Sequence, residues 1–199
     1  MKNQKGQTHP SKGKSIRVEP IRTKAEIKRI RKILSDNPLY TAIFNVGVNC
    51  AYRAGDLLSI KVKQVRNLQT GDQLTVKESK TGKTRTVSVN SLCVDSIQNL
   101  LASRDYKDED FLFMGQRGVL TVSSLSNLVK KWCKDAGVGK KGENFSSHSL
   151  RKTWGLMQYE QKTPLPVLMK AFGHSSQAIT LSYIGLQDAD VQNLYDLEI

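Results

Sequence analysis

Residues 147–183 read SHSLRKTWGLMQYEQKTPLPVLMKAFGHSSQAITLSY, and this stretch decides the fold. Its apolar runs follow a serine or a proline, which are typical residues at the start of a helix. His148-Ser149-Leu150-Arg151 opens the first of these helices. The stretch predicts three successive helices, at 147–159 with Ser147 as the N-cap, at 164–172 and at 176–183.

Helices are also predicted ahead of this stretch. Thr23 is a predicted N-cap with Glu26 as its capping-box partner, and Asn37-Pro38 begins a second helix whose apolar content indicates burial. A short helix is predicted around 55–59, longer helices at about 91–104 and 121–135, and a short buried segment at 111–113.

Between these helices the apolar residues change from helical spacing to alternation. Leu74 and Val76 lie on one side of Ser79-Lys80-Thr81-Gly82-Lys83, and Val87 lies on the other. Because Gly82 supplies a tight turn, the pattern predicts a β-hairpin that carries Lys80 at its turn. The predicted fold class is therefore α+β and mainly helical, with one small antiparallel β-sheet.

The chain is strongly basic, with 31 lysines and arginines against 18 acidic residues and a net charge of +13. This balance is typical of proteins with a polyanionic partner, because Lys and Arg near phosphates release condensed counterions. Eleven of the bases lie in residues 1–35, against two glutamates. We predict a flexible basic arm at 1–21 and one domain at 22–199. A solvated surface with a disordered tail would explain the charge equally well.

Other features of the sequence exclude several classes of protein. No apolar run approaches the roughly 18 residues of a membrane span, and Met1 is not followed by the apolar stretch of a secretory signal. Cys50, Cys93 and Cys133 form no CxxC pair, which indicates reduced thiols and not a disulfide framework or a zinc site. We expect a cytoplasmic protein without a membrane partner.

The side chains needed to cleave a phosphodiester without a metal ion are all present. Arg53 and Arg151 can clamp the non-bridging oxygens with paired donors, which lysine cannot imitate. Tyr183 can attack phosphorus to give a covalent phosphotyrosine. Lys80 can donate a proton to the leaving 5′-oxygen. His148 and His174 can hydrogen-bond the phosphate or shuttle protons.

The order of these residues is more specific than any one of them. Each alone has an ordinary structural explanation, as a solvated arginine, a packed tyrosine or a hairpin lysine. His148 and Arg151 form an HxxR pattern, His174 lies 23 residues beyond Arg151, and Tyr183 lies nine residues after His174.

This pattern resembles the tyrosine recombinases, also called the phage-integrase family. The matching features are Arg53 with the nearby acid Asp56, the hairpin Lys80, His148-Ser149-Leu150-Arg151 followed by Thr153, Phe172-Gly173-His174 in the place of LGH, and the closing Tyr183. The resemblance covers about residues 22–199. It implies a mainly helical catalytic fold, the absence of a metal or other cofactor, and catalytic roles for Arg53, Lys80, His148, Arg151, His174 and Tyr183.

The resemblance also implies an activity and a substrate. The activity is site-specific recombination of double-stranded DNA, in which strands are cleaved and rejoined through a covalent 3′-phosphotyrosyl intermediate during integration, excision or inversion. The source would be a bacterium or a phage. We expect Lys83, Arg85 and Lys152 to contact the DNA.

The C-terminus carries a possible oligomerisation element. Asp188 can cap a last helix in which Val191, Leu194 and Tyr195 form one apolar stripe. The stripe could fold back on its own domain. The family resemblance implies instead that neighbours in a tetramer on DNA exchange this segment, and that the free protein is a monomer.

The sequence departs from the family pattern in two respects. The family carries a helical core-binding domain of roughly a hundred residues ahead of the catalytic domain, and residues 1–21 leave no room for it, so we expect a naturally short protein or a shortened one. Lys152 replaces a common histidine and is either a phosphate contact or a solvated lysine. The alternatives left open are a type IB topoisomerase-like enzyme, a DNA-binding regulator without catalysis, and a basic RNA-binding module, for which an aromatic-rich recognition strand is lacking.

Overall fold

The computed structural model of the protein describes residues 17–116 and 118–186, and all structural statements concern these residues. The described chain is mainly helical, as predicted. The helices are α1 Lys24–Leu34, α2 Pro38–Cys50, α3 Ala54–Leu58, α4 Ser91–Ala102, α5 Val122–Asp135, α6 Ser147–Glu160, α7 Leu165–Phe172 and α8 Gln177–Ile184, with a 3₁₀ turn at Val62–Gln64. The strands are β1 Gln73–Lys77, β2 Thr84–Ser88, β3 Met114–Gly115 and β4 Gly118–Val119.

Side-chain caps begin the helices near the predicted positions. The Thr23 hydroxyl accepts from the Glu26 amide and the Glu26 carboxylate accepts from the Thr23 amide, so the predicted capping box is confirmed. The Asn37 side chain caps α2 through the Tyr40 amide, with Pro38 in the first turn. These bonds satisfy amides that have no partner inside the helix.

The predicted cap of α6 is wrong by one residue. The hydroxyl of Ser146, not that of Ser147, accepts from the His148 amide, while the Ser146 amide donates to the Ser149 hydroxyl. Ser147 lies inside the helix, and its hydroxyl lies 2.9 Å from that of Ser126 on α5. Two adjacent serines offer the same capping chemistry, so packing against α5 decides between them.

The predicted hairpin is confirmed. Strands β1 and β2 are antiparallel, with Gln73 opposite Ser88 and Lys77 opposite Thr84. Gly82 in the turn has a φ of 69°, a left-handed conformation that glycine adopts without strain. Residue Lys80 is exposed in this turn. A second, two-residue ladder joins β3 to β4. It follows the predicted buried segment 111–113, in which Leu112 and Phe113 are buried and Phe111 is half-buried.

Two apolar clusters hold the described chain together. The larger is built around α2, which packs against α4 and α6, and it contains all three cysteines as buried thiols. The smaller consists of Leu156, Phe172 and Ile184, which join α6 to α7 and α8. Helix α6 borders both clusters and therefore sets the position of α7 and α8 relative to the rest of the fold.

Gly155 allows α7 and α8 to approach α6 closely. A Cβ atom at this position would lie 2.5 Å from Cζ of Phe172 and 2.7 Å from Cγ2 of Ile184, closer than such atoms can pack. Helix α8 therefore lies directly against α6. Among the described residues, no helix is both long and apolar enough to span a bilayer.

Candidate active site

Three parts of the fold carry five of the six predicted catalytic residues to one place. Arg53 precedes α3, and His148 and Arg151 lie on α6. His174 precedes α8, and Tyr183 lies in its last turn. These residues lie close enough for their charges to interact: Arg53 and Arg151 lower the pKa of both histidines and oppose the rise in the pKa of Tyr183.

Arg151 lies at the centre of this group and is 3% exposed. Its guanidinium donates to the carbonyls of Ala51 and Phe172 and lies 4.9 Å from the centroid of the Phe172 ring. Ala51 ends α2 and Phe172 ends α7, so both carbonyls belong to helix C-termini, which lack intrahelical donors and favour a positive charge. Burial lowers the pKa of Arg151 to about 10, which leaves the side chain charged at neutral pH.

Arg53 is held by an acid that the sequence did not indicate. Its Nη1 lies 2.5 Å from Oε1 of Glu78, which precedes the hairpin turn, while the Arg53 side chain keeps 28% exposure. The hydroxyl of Thr81 donates to Oε2 of Glu78 at 2.7 Å. Burial raises the pKa of Glu78, but the Thr81 hydrogen bond and the charge of Arg53 outweigh it and lower the pKa below its ordinary value.

Asp56, the nearby acid of the family pattern, has a different partner. Its Oδ1 accepts from the amide of Ser79 at 2.9 Å and from the Ser79 hydroxyl at 3.0 Å. Asp56 therefore anchors the turn that carries Lys80 to helix α3. Lys80 itself is exposed, so the structure brings its backbone close to the site without placing its side chain among the other five residues.

His174 and Tyr183 face each other beside Arg151. Their ring centroids are 5.0 Å apart at an interplanar angle of 72°. The His174 ring also stacks on Phe172, at 5.1 Å and 24°, and its Nδ1 lies 3.1 Å from the Thr180 hydroxyl. Gly173, with a φ of 72°, ends α7 and turns the chain so that His174 can occupy this position.

The protein environment favours the uncharged forms of Tyr183 and of both histidines. Burial raises the pKa of Tyr183, and the charges of Arg151 and Arg53 only partly oppose this shift. Desolvation lowers the pKa of His148, and Lys152, Arg151 and Arg53 lower it further. Burial and the two arginines likewise lower the pKa of His174. The phenol of Tyr183 therefore lies next to one imidazole, that of His174, and shares a cavity with a second, that of His148.

Two of the three residues predicted to contact DNA, Lys152 and Arg85, make hydrogen bonds within the protein. Lys152 is half-buried, donates to the carbonyl of Val18 at 2.7 Å and lies 5.2 Å from the centroid of the Tyr183 ring. Arg85 is half-buried, and it donates to the carbonyl of Ala171. Lys83 is exposed beside the hairpin turn.

A cavity of about 750 Å³ opens beside Tyr183. Its lining combines His148 and Lys152 with the N-terminal residues Arg17 and Val18 and with Ile179 of α8. A hydrogen bond to α6 holds the N-terminal segment at this cavity: the Thr153 hydroxyl accepts from the amide of Ile21 at 2.8 Å. The segment from residue 17 thus forms one wall of the site.

Comparison with known proteins agrees with this geometry. The fold is that of tyrosine recombinase catalytic domains: it matches a crystal structure of XerA recombinase with a TM-score of 0.72 and 25% identity over 95% of this chain and 66% of that one. Residues 20–190 match the model of the phage integrase family, and the chain belongs to this family.

Two further proteins are similar to the chain. The probable integrase/recombinase YoeC of Bacillus subtilis (strain 168) is 29% identical over 89% of this chain and 95% of its own length. The fold also matches XerH site-specific recombinase, crystallised on its difH substrate before cleavage, with a TM-score of 0.65 and 18% identity over 93% of this chain and 56% of that one.

Family membership makes the protein a site-specific recombinase of the tyrosine class. These comparisons do not favour a topoisomerase-like enzyme or a DNA-binding regulator without catalysis. The chain spans nearly all of YoeC but about half to two thirds of the two crystallised recombinases.

We predict that Glu78→Gln lowers the free energy of unfolding by about 1–2 kcal/mol at pH 7, since Arg53 loses the charge of its ion-pair partner and the Thr81 hydroxyl loses a charged acceptor. Because folding lowers the pKa of Glu78, its stabilisation is present above the unfolded pKa and is lost as the pH falls through the folded pKa. The difference between wild type and variant should therefore shrink on acidification. Urea unfolding at pH 7 and at pH 3.5 measures it, and an equal difference at both would contradict the ion pair.

Proposed function

We propose that Tyr183 is the nucleophile that cleaves one DNA strand. Its phenol oxygen forms a bond to the scissile phosphorus as the bond from phosphorus to the 5′-oxygen breaks, which leaves a 3′-phosphotyrosyl link. The observation that supports this role most directly is the contact of the Tyr183 ring with His174 beside the buried Arg151. Rejoining is the reverse step, in which the 5′-hydroxyl attacks the phosphotyrosine.

Arg53 and Arg151 would bind the non-bridging oxygens of this phosphate. Arg151 is held from behind by two carbonyls, and Arg53 is held through Nη1 by Glu78, so both guanidinium groups are oriented before DNA binds. Oriented donors stabilise the charge that develops on phosphorus without having to reorganise during the reaction.

The two histidines and Lys80 would move the protons. Neutral His174 lies next to Tyr183 and can accept its phenolic proton, while His148 faces the same cavity. Lys80 would protonate the leaving 5′-oxygen. Because its turn is exposed and is tied to α3 through Ser79, a small shift of the turn onto bound DNA would place the ammonium group.

A nicked duplex tests this proposal. After cleavage close to a nick, the short downstream fragment diffuses away and the protein stays linked to the DNA. We expect an adduct that survives denaturation, carries DNA through its 3′-phosphate and forms in the presence of a chelator. An adduct on the 5′-phosphate, or none with any duplex from the genomic neighbourhood of the gene, would overturn the proposed chemistry.

The basic N-terminal residues are proposed to bind the DNA backbone. Residues 17–20 pack on the fold, since Lys152 donates to the Val18 carbonyl and the Glu19 amide donates to the Asn144 carbonyl, and Arg17 and Val18 line the Tyr183 cavity. Residues 1–16 lie outside the described part of the chain and contain four lysines.

Deletion of residues 1–16 should weaken DNA binding and flatten its salt dependence. Each phosphate contact contributes about 0.9 to the slope of log K against log salt, so the loss of four lysines should lower the slope by up to about 3.6. Replacement of the same four lysines with glutamine is the matched control and should reproduce the change. Titration at several salt concentrations measures both quantities, and an unchanged slope would show that the arm does not touch DNA.

The C-terminal stripe of Val191, Leu194 and Tyr195, capped by Asp188, is proposed to dock on a neighbouring protomer in a tetramer on DNA. These residues lie outside the described part of the chain. The described part shows that α8 ends before them, because Gly185 caps the helix with a φ of 92°.

We expect Val191→Asp combined with Leu194→Asp to leave DNA binding intact and to abolish recombination, since two carboxylates cannot enter an apolar groove. Mixing this variant with a Tyr183→Phe protein tests the exchange. Partial recovery of cleavage in the mixture supports docking between protomers, whereas full activity of the double variant alone contradicts it.

A further inference from the structure

Arg85 is a cation on the inner face of the hairpin. It lies opposite Val76 and two residues before Val87, so these three side chains share one face, and both valines are buried or half-buried. Burial lowers the pKa of Arg85, and the charge of Glu78 only partly opposes this shift. Because an aliphatic side chain would fill this position without the cost of burying a charge, the guanidinium group indicates a role beyond packing.

The end of helix α7 is the partner of this guanidinium group. The last four carbonyls of a helix have no donor within the helix. In α7 the turn at Gly173 satisfies the first two of them. Arg85 donates to the third carbonyl, that of Ala171. Arg151 donates to the fourth, that of Phe172. One helix end, whose dipole favours positive charge, therefore binds one arginine of the hairpin and one arginine of the candidate active site.

The hydrogen bond of Arg85 crosses a gap in the packing. Arg85 and Ala171 both line a cavity of about 680 Å³ between the hairpin and α7, so side-chain packing does not fill the space around the bond. The Lys80 turn is also attached to α3, where Asp56 accepts from the amide and the hydroxyl of Ser79. An attachment to α3 alone leaves the hairpin free to tilt, whereas a second attachment to α7 fixes its orientation relative to the active site.

We propose that Arg85 is a positioning residue that ties the hairpin to the end of α7 and so limits its tilt to the range in which Lys80 reaches the leaving 5′-oxygen. The inference rests on the proposed role of Lys80. In that step the bond from phosphorus to the 5′-oxygen breaks and the oxygen takes a proton from the Lys80 ammonium group. Arg85 touches neither atom and acts through the backbone of β2. This role differs from the DNA contact expected of Arg85 from the sequence, and the two roles have different consequences.

Arg85→Met and Arg85→Lys separate the hydrogen bond from the packing. Methionine keeps an unbranched apolar stem and offers no donor. Lysine keeps a cation that can donate to a carbonyl, and the bond to Ala171 uses only one nitrogen, Nη1, so lysine should restore the tie. A residue that clamps a phosphate with two donors would not be restored by lysine. Lys77→Met is the matched control, because it removes an exposed cation from β1 of the same hairpin.

Single-turnover cleavage of two nicked duplexes by the full-length chain tests whether Arg85 acts through the leaving group. One duplex has the ordinary 5′-oxygen at the scissile phosphate, and in the other sulfur replaces this atom. Because a thiol is a far stronger acid than an alcohol, with a pKa of about 8.5, the sulfur leaves as a thiolate without a proton donor.

The expected rates differ between the two duplexes. Arg85→Met should cleave the oxygen duplex about 10- to 100-fold more slowly than wild type, since a small misplacement of a catalytic group has an effect of this size. It should cleave the sulfur duplex at the wild-type rate. Lys80→Ala should show the same rescue by sulfur. Arg85→Lys should cleave both duplexes like wild type, and Lys77→Met should keep the wild-type ratio of the two rates.

Amide hydrogen exchange without DNA measures the tie independently of cleavage. The amides of β2 and of the Lys80 turn should exchange about fivefold faster in Arg85→Met, the effect of one lost hydrogen bond on local opening. Their exchange should stay at the wild-type rate in Arg85→Lys and in Lys77→Met.

The outcomes are distinguishable. Equal slowing of Arg85→Met on both duplexes places Arg85 in the phosphate clamp or in the fold alone and overturns the inference, as does unchanged amide exchange. A salt slope of DNA binding that falls by about 0.9 in Arg85→Met shows a direct phosphate contact, which also overturns it. If amide exchange is as expected but Lys80→Ala cleaves the oxygen duplex like wild type, then the proposed proton donor is wrong while the tie between the hairpin and α7 stands.

Discussion

Tyr183→Phe protein should bind DNA as tightly as wild type and form no covalent adduct with it. The variant loses one oxygen and keeps the ring, which packs against Phe172 at 5.1 Å and against His174 at 5.0 Å. Stability should therefore change by less than about 1 kcal/mol. Cleavage should fall on the order of 10⁴-fold or more, since a reaction through a covalent intermediate stops when its nucleophile is removed.

Tyr159→Phe is a matched control for this variant. Tyr159 lies on α6 and packs against the same small cluster of Leu156, Phe172 and Ile184 as Tyr183 does, without contact to the histidines. A nicked duplex, denaturing electrophoresis and a parallel binding titration measure adduct and affinity separately. Adduct that persists in Tyr183→Phe would disprove its role, and adduct that disappears with a chelator would disprove metal-independent cleavage.

The sequence predicted well which residues the fold brings together, because their chemistry and order are specific. Two arginines, two histidines and a tyrosine in one order imply a phosphate site, and the fold does bring Arg53, His148, Arg151, His174 and Tyr183 together. The roles of these residues stay predictions. Lys80 shows the limit of the pattern, since its side chain remains exposed on the hairpin turn.

The partners that orient these residues could not be predicted. Glu78 holds Arg53 and Asp56 holds Ser79, although Asp56 is the acid closer to Arg53 in sequence. The pairing depends on how the hairpin folds over α3, and such long-range packing leaves no local pattern. The same applies to the carbonyls of Ala51 and Phe172, because every residue has a carbonyl and only the three-dimensional fold selects two of them.

The helices and the hairpin were predictable because capping and periodicity are local properties. Thr23 with Glu26 and Gly82 in the turn act within a few residues of their position. The choice between Ser146 and Ser147 depended instead on the contact of Ser147 with Ser126, 21 residues away. The ladder of β3 and β4 has two residues in each strand, too few for an alternating pattern to be recognised.

Arg151→Lys should lower both cleavage and stability. Lysine keeps the charge, but its single ammonium group cannot reach the carbonyls of Ala51 and Phe172 and also present a planar pair of donors to the phosphate. Cleavage should fall by about 10²- to 10³-fold, the usual effect of losing an oriented donor to a developing oxyanion. The free energy of unfolding should fall by about 1–3 kcal/mol, because a buried carbonyl loses its donor.

Arg53→Lys should give a different combination of effects on cleavage and on stability. Comparison of the two variants therefore separates the role of the guanidinium group in cleavage from its role in the fold. The Arg53 side chain is 28% exposed, so cleavage should fall by a similar factor with a smaller loss of stability.

Arg104→Lys is the matched control for both variants. Arg104 also donates to a carbonyl, that of Met114 at 3.1 Å, and lies over an aromatic ring, but it is exposed and contacts no candidate catalytic residue. Its cleavage rate should equal that of wild type. Single-turnover rates measured where all three variants are fully folded separate chemistry from unfolding, and wild-type cleavage by Arg151→Lys under these conditions would show that the phosphate needs only a positive charge at this position.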